Sequence, residues 1–203
     1  LVAAPRKELR QVFGRWRASP IWILVALATP MALHLPSTAI EVLLGGRPEQ
    51  WIYLPNAPER VAALVLFSVG EEFGWRGFGY PRVAERYGPV AGSLVLGLVW
   101  AVWHALMMIS PEDGTFQSLQ FGSGLIELPL YSLIFAWLLE RSNRSILVAI
   151  ALHAGGHLDN VNLAPDSEIR LRVLRLLILA IAAILAARAL GPRKRPGEGR
   201  EPG

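Results

Sequence analysis

The sequence predicts an all-α membrane protein, a polytopic bundle of about six transmembrane helices around an intramembrane polar cavity. Three observations predict it. The 203 residues are 53% hydrophobic and 18% charged, where an ordinary soluble domain has about 45–50% and about 25%. Six apolar segments come close to the roughly 17–25 residues that a spanning helix needs. None alternates apolar and polar residues as a barrel strand does, and backbone satisfaction in lipid then favours helices.

The segments follow one another with clear breaks. Ile21–Leu44 carries Glu41 as its one formal charge, and Val61–Gly79 is interrupted by Glu71, Glu72 and Arg76. Pro89–Ser110 holds His104, and Ser123–Leu139 holds Glu127. Ile146–Leu163 carries His153, His157 and Asp159, and Leu171–Leu190 has Arg172, Arg175 and Arg188 near its ends. Gly45-Gly46-Arg47-Pro48, Pro55-Asn56-Ala57-Pro58, Pro111-Glu112-Asp113-Gly114 and Ser142-Asn143-Arg144 punctuate the loops. Ala164-Pro165-Asp166-Ser167 reads as a loop running into an N-cap. Pro30 and Pro129 fall inside segments, where kinks are expected. Three regions result: residues 1–20 as a basic cytoplasmic segment, 21–190 as the membrane domain, and 191–203 as a disordered basic tail. Leu1 in place of methionine predicts a processed chain or a fragment, and Leu1–Ala4 is too short for a signal-peptide core.

Composition closes off other classes. The absence of cysteine excludes a disulfide scaffold, thiol catalysis, Cys-ligated zinc and iron–sulfur clusters. The apolar content excludes disorder for the body of the chain. A net charge of +4 would point to nucleic acid in a soluble protein. Here the basic residues cluster at segment ends, so membrane orientation accounts for them and no nucleic-acid partner is expected. Arg6, Lys7, Arg10, Arg15 and Arg17, then Arg82 and Arg86, then Arg141 and Arg144, then Arg193, Lys194, Arg195 and Arg200 fall on one side if every segment spans. Both termini are then cytoplasmic. Arg172 and Arg175 break the pattern from the outer side. The Arg- and Ala-rich, Cys-free composition fits a GC-rich bacterium.

Ionisable residues inside lipid are expensive and mark function by default. Glu72 and Arg76, at i,i+4, can form a structural ion pair on one helix face. Glu71 lies about 100° round the helix without that partner. In an apolar cavity its pKa would rise, which suits a general base. Alternatively, the charge cluster only fixes helix packing. Trp100 and His104 share a face at i,i+4. His153, His157 and Asn160 share another at i, i+4 and i+7. The His153–His157 spacing also fits two metal ligands on one helix, with Glu71 or His104 completing a zinc site. Ala154 stands where a zinc-protease helix has glutamate, so no cofactor is the preferred reading. There is no P-loop and no serine elbow, and Ser68 has no evident base to activate it.

Glu71-Glu72-Phe73-Gly74-Trp75-Arg76 resembles the Glu-Glu-x-x-x-Arg motif of the CPBP family, the CAAX proteases and bacteriocin-processing (ABI) enzymes. Trp100-x-x-x-His104 resembles the second family motif and His153-x-x-x-His157 the last, usually His-x-x-x-Asn. Order and spacing match across Glu71–His157. The resemblance implies an intramembrane endopeptidase in which Glu71, helped by His104, activates water. His153 and His157 would stabilise the oxyanion, while Glu72 and Arg76 hold the site together. His157 replaces the family asparagine, and Asn160, one turn on, is the alternative amide donor. The implied partner is a peptide or lipidated-protein substrate in the bilayer. A non-enzymatic immunity or scaffold protein is the alternative, and a proton-coupled transporter lacks the expected inverted repeat.

Overall fold

The computed structural model describes residues 16–47, 51–52, 57–110, 113–158 and 165–191, without the side chains of 165–168. Most of the basic N-terminal segment, the tail beyond 191, and Asn160 lie outside the described residues. Among the described residues seven α-helices occur: α1 (Pro20–Leu43), α2 (Pro58–Glu72), α3 (Tyr80–Tyr87), α4 (Pro89–Trp103), α5 (Ser118–Arg141), α6 (Ile146–Gly156) and α7 (Pro165–Leu190). A π-helix, Phe73–Gly79, joins α2 to α3 without a break, and a 3₁₀ turn, His104–Met108, prolongs α4. Among the described residues each of the six expected segments contributes one helical rod. No strand occurs among the described residues beyond an isolated Ile109–Phe116 bridge.

Among the described residues four rods are long and apolar enough to cross a membrane: Pro20–Leu43, Pro89–Met108, Ser118–Arg141 and Ile169–Leu190. Their outward faces are apolar. On α7, Ile169, Val173, Leu177, Ile181 and Ile184 form an exposed stripe, and on α4 Leu94, Val95, Leu98, Val99 and Val102 are exposed. Contiguous apolar surface of this kind belongs in lipid.

Three expectations need correction. The second segment does not end at Gly79. The rod continues to Tyr87, so Arg82 and Arg86 lie on helix rather than in a loop. The helix of the fifth segment ends at Gly156, and residues 159–163 lie outside the described residues. α6 has 11 residues, about 16 Å at 1.5 Å per residue, roughly half the hydrocarbon thickness. Its last turn, Ala154-Gly155-Gly156, contains two residues of poor helix propensity, and His157 is its C-cap. α6 is an interior helix, buried at Ile146, Val148, Ala149, Ile150, Leu152 and Gly155 and packed against α1, α2 and α5. Lastly, α7 begins at Pro165, so Ser167 lies in its first turn and not at the N-cap. Proline at the first helical position costs no hydrogen bond, since that N–H has no intrahelical acceptor.

Close approaches set the helix positions. A Cβ on Gly155 would lie 2.4 Å from the Leu27 carbonyl oxygen of α1, and one on Gly97 of α4 would lie 2.5 Å from Pro129 Cα of α5. The fully buried Glu41 of α1 accepts from Arg170 Nε at 2.7 Å and Nη2 at 2.5 Å, which ties the end of α1 to the start of α7. The forked geometry suits a carboxylate taken out of water. In the loop after the 3₁₀ turn, hydrogen bonds from the Thr115 N–H and hydroxyl hold the exposed Asp113 carboxyl below its ordinary range.

Candidate active site

The α2–π–α3 rod carries Glu71, Glu72 and Arg76, the end of α4 carries Trp100 and His104, and the end of α6 carries His153 and His157. Glu72 and Arg76 are buried, and Arg76 Nη1 donates to Glu72 Oε1 at 2.8 Å. His153 Nδ1 lies 2.7 Å from the same oxygen. The expected ion pair is thus present and extends to a third helix. The other Glu72 oxygen is buried with no hydrogen-bond partner among the described residues.

Arg76 is held from α5 as well. Its Nη2 donates to Ser132 Oγ at 3.3 Å, and its guanidinium lies 3.7 Å from the Phe135 ring centroid and 4.2 Å from that of Trp100. Sequence reasoning missed Ser132 and Phe135. Ser132 is a polar interruption in the apolar run of α5, and Phe135 follows one turn later. Nothing in their spacing points to a guanidinium on another helix.

Trp100 is the hub. Its Nε1–H donates to Glu71 Oε2 at 2.9 Å, so Glu71 is partnered away from Arg76 as expected. The Trp100 carbonyl accepts the His104 backbone N–H, and His104 Nδ1 approaches it at 2.9 Å. A carbonyl can only accept, so His104 Nδ1 carries the proton and Nε2 of the neutral ring is an acceptor. The Trp100 ring also packs edge-on against His153 at 5.6 Å between centroids. His157 stacks on His153 at 5.2 Å, lies within electrostatic reach of Glu71 and His104, and has a buried Nε2 without a partner among the described residues. The four expected acid and histidine residues therefore meet from three helices. Asn160 lies outside the described residues. Ser68 donates to the Leu64 carbonyl of its own helix at 2.8 Å. Among the described residues no group of three His, Asp or Glu side chains is arranged to hold a metal ion.

Fold and site together define a multi-pass helical membrane protein with a carboxylate–histidine cluster between its helices. Residues 54–158 match the family described as Type II CAAX prenyl endopeptidase Rce1-like, a span that includes all seven of these polar and aromatic positions from Glu71 to His157. The chain belongs to that family, which bears out the CPBP resemblance. It is also similar to CAAX prenyl protease 2 of Methanococcus maripaludis, 28% identical over 128 residues, or 60% of this chain and 47% of the relative. The chain thus spans about half the length of that curated relative.

Proposed function

We propose that the chain is an intramembrane endopeptidase that hydrolyses a peptide bond near the end of a prenylated CAAX-type substrate. The convergence of Glu71, His104, His153 and His157 around Trp100 carries this reading. Glu71 takes a proton from a water molecule, and His104 orients that water through its acceptor Nε2. The hydroxide adds to the scissile carbonyl carbon. The resulting oxyanion is held by His157, whose buried Nε2 is available to a ligand, and by His153. With its Nδ1 proton directed at Glu72, His153 offers a second proton at Nε2 only as the imidazolium. The C–N bond then breaks, and the proton held by Glu71 passes to the leaving amine. Glu72 and Arg76 keep the rod, α5 and α6 in register. No metal enters this scheme. The Lys/Arg distribution supports cytoplasmic termini, so the substrate enters from the cytoplasmic side.

The test compares peptide termini in membranes containing equal amounts of folded wild type or Glu71→Gln. Loss of a general base costs about 10²–10⁴-fold in rate. Specific termini should vanish in the variant and persist in wild type treated with chelator. Identical termini in both proteins would refute the proposal, and loss with chelator alone would replace the water-activating glutamate by a metal.

A further inference from the structure

Arg172 and Arg175 fit neither the orientation pattern nor the Glu71 site, and Glu127 has no part in the chemistry above. The structure brings these residues together. Arg172 Nη1 of α7 donates to Ser123 Oγ of α5 at 2.9 Å. Glu127, one turn along α5, interacts with Ser123 and lies within electrostatic reach of both Arg172 and Arg175. The Tyr131 hydroxyl, a further turn on, meets His34 Nε2 of α1 at 2.8 Å. This is a second polar cluster within the spanning helices, where ionisable groups are costly unless they serve a purpose.

A cavity of about 240 Å³ joins the two clusters, with His104, Ser123, Glu127 and Arg172 all in its wall. A drug-sized ligand fills roughly 300–1,000 Å³, so this space suits the end of a peptide. We infer that the cavity binds the C-terminal carboxylate of the substrate, with Arg172 as the residue that recognises it, an inference that rests on the endopeptidase reading. A guanidinium is always charged, and its planar fork matches a carboxylate. In a site of low dielectric that attraction exceeds its value in water. Ser123 holds the guanidinium at the cavity wall, and the Glu127 carboxyl shares that wall within electrostatic reach of it. Every linear peptide has a single C-terminal carboxylate. Anchoring it at a set distance from His104 selects the bond cleaved by its distance from the chain end.

The test measures binding apart from cleavage. A fluorescent prenylated CAAX peptide is made with a free C-terminal carboxylate and as the C-terminal amide. Both are titrated into Glu71→Gln protein in nanodiscs. The acid should bind about tenfold more tightly than the amide or better, a difference of about 1.4 kcal/mol or more. In Glu71→Gln/Arg172→Gln the two should bind alike, at the affinity of the amide, while Arg172→Lys should retain part of the difference. Because the first comparison alters only the ligand, it stands even if Arg172→Gln fails to fold. Equal affinities, or no binding of either peptide, overturn the inference, and so does a difference that survives in Arg172→Gln. Failure of wild type to cleave either peptide while the acid still binds more tightly would sink the endopeptidase reading and leave the carboxylate site standing.

Discussion

Glu72 Oε1 receives Arg76 from its own rod and His153 from α6, while Glu71, the adjacent residue, meets Trp100 of α4. In the proposed mechanism the two neighbouring glutamates are thereby divided between structure and chemistry. Removing one member of a buried ion pair leaves the other charge uncompensated and costs about 3–5 kcal/mol. Glu72→Gln should therefore lower thermal stability in detergent markedly, whereas Glu71→Gln should melt close to wild type and lose only turnover. Equal melting temperatures for Glu72→Gln and wild type would show that the pair does not hold the site. A second residue-scale prediction concerns His157. As a neutral ring it can donate one hydrogen bond, and protonation adds a positive charge beside His153. An asparagine donates without titrating. His157→Asn should retain turnover and lose the part of the acid limb that His157 contributes to the pH–rate profile. An abolished activity with an intact fold would show that the ring itself is required.

At the scale of elements, contact between small residues and backbone places α6 and α5. A Cβ on Gly155 or Gly97 would run into backbone atoms of α1 or α5, which cannot give way as a flexible side chain can. Gly155→Ala and Gly97→Ala should each destabilise the bundle by about 1–3 kcal/mol, the cost of overpacking. Gly122→Ala, within α5, meets nothing within 4 Å and should be neutral or stabilising by up to about 1 kcal/mol. Unfolding of the three variants in mixed micelles measures this, and a neutral Gly155→Ala would show that α1 and α6 can separate. The π-helix belongs to the same scale. It begins directly after Glu72 and includes Arg76, so the helix geometry changes within the motif itself. Such segments often occur at functional sites.

For the whole molecule, the Lys/Arg distribution predicts the arrangement in the membrane. The cysteine-free sequence makes it measurable with single substitutions. If the Lys/Arg distribution sets orientation, Arg82→Cys and Arg144→Cys should be protected from an impermeant maleimide added outside intact cells. Arg47→Cys and Asp113→Cys should be labelled. The reverse pattern would invert the topology and move substrate entry to the other face. The short α6 does not weaken the bundle, because it is enclosed by other helices and need not meet lipid along its whole length.

Composition and segment length by themselves determined the fold class, since lipid admits few structures and 53% hydrophobic residues leave little choice. Four spans, the Glu72–Arg76 pair and the separate fate of Glu71 were legible for similar reasons. Each depends on local periodicity along one helix. The tertiary structure decided what periodicity cannot encode. It stopped α6 at Gly156, carried the second rod to Tyr87, set His153 on Glu72, and brought Ser132 and Phe135 to Arg76. It also turned two unexplained arginines of α7 toward Glu127. These features arise from contacts between residues far apart in the chain. Buried polar groups must find partners wherever the packing of other helices supplies them.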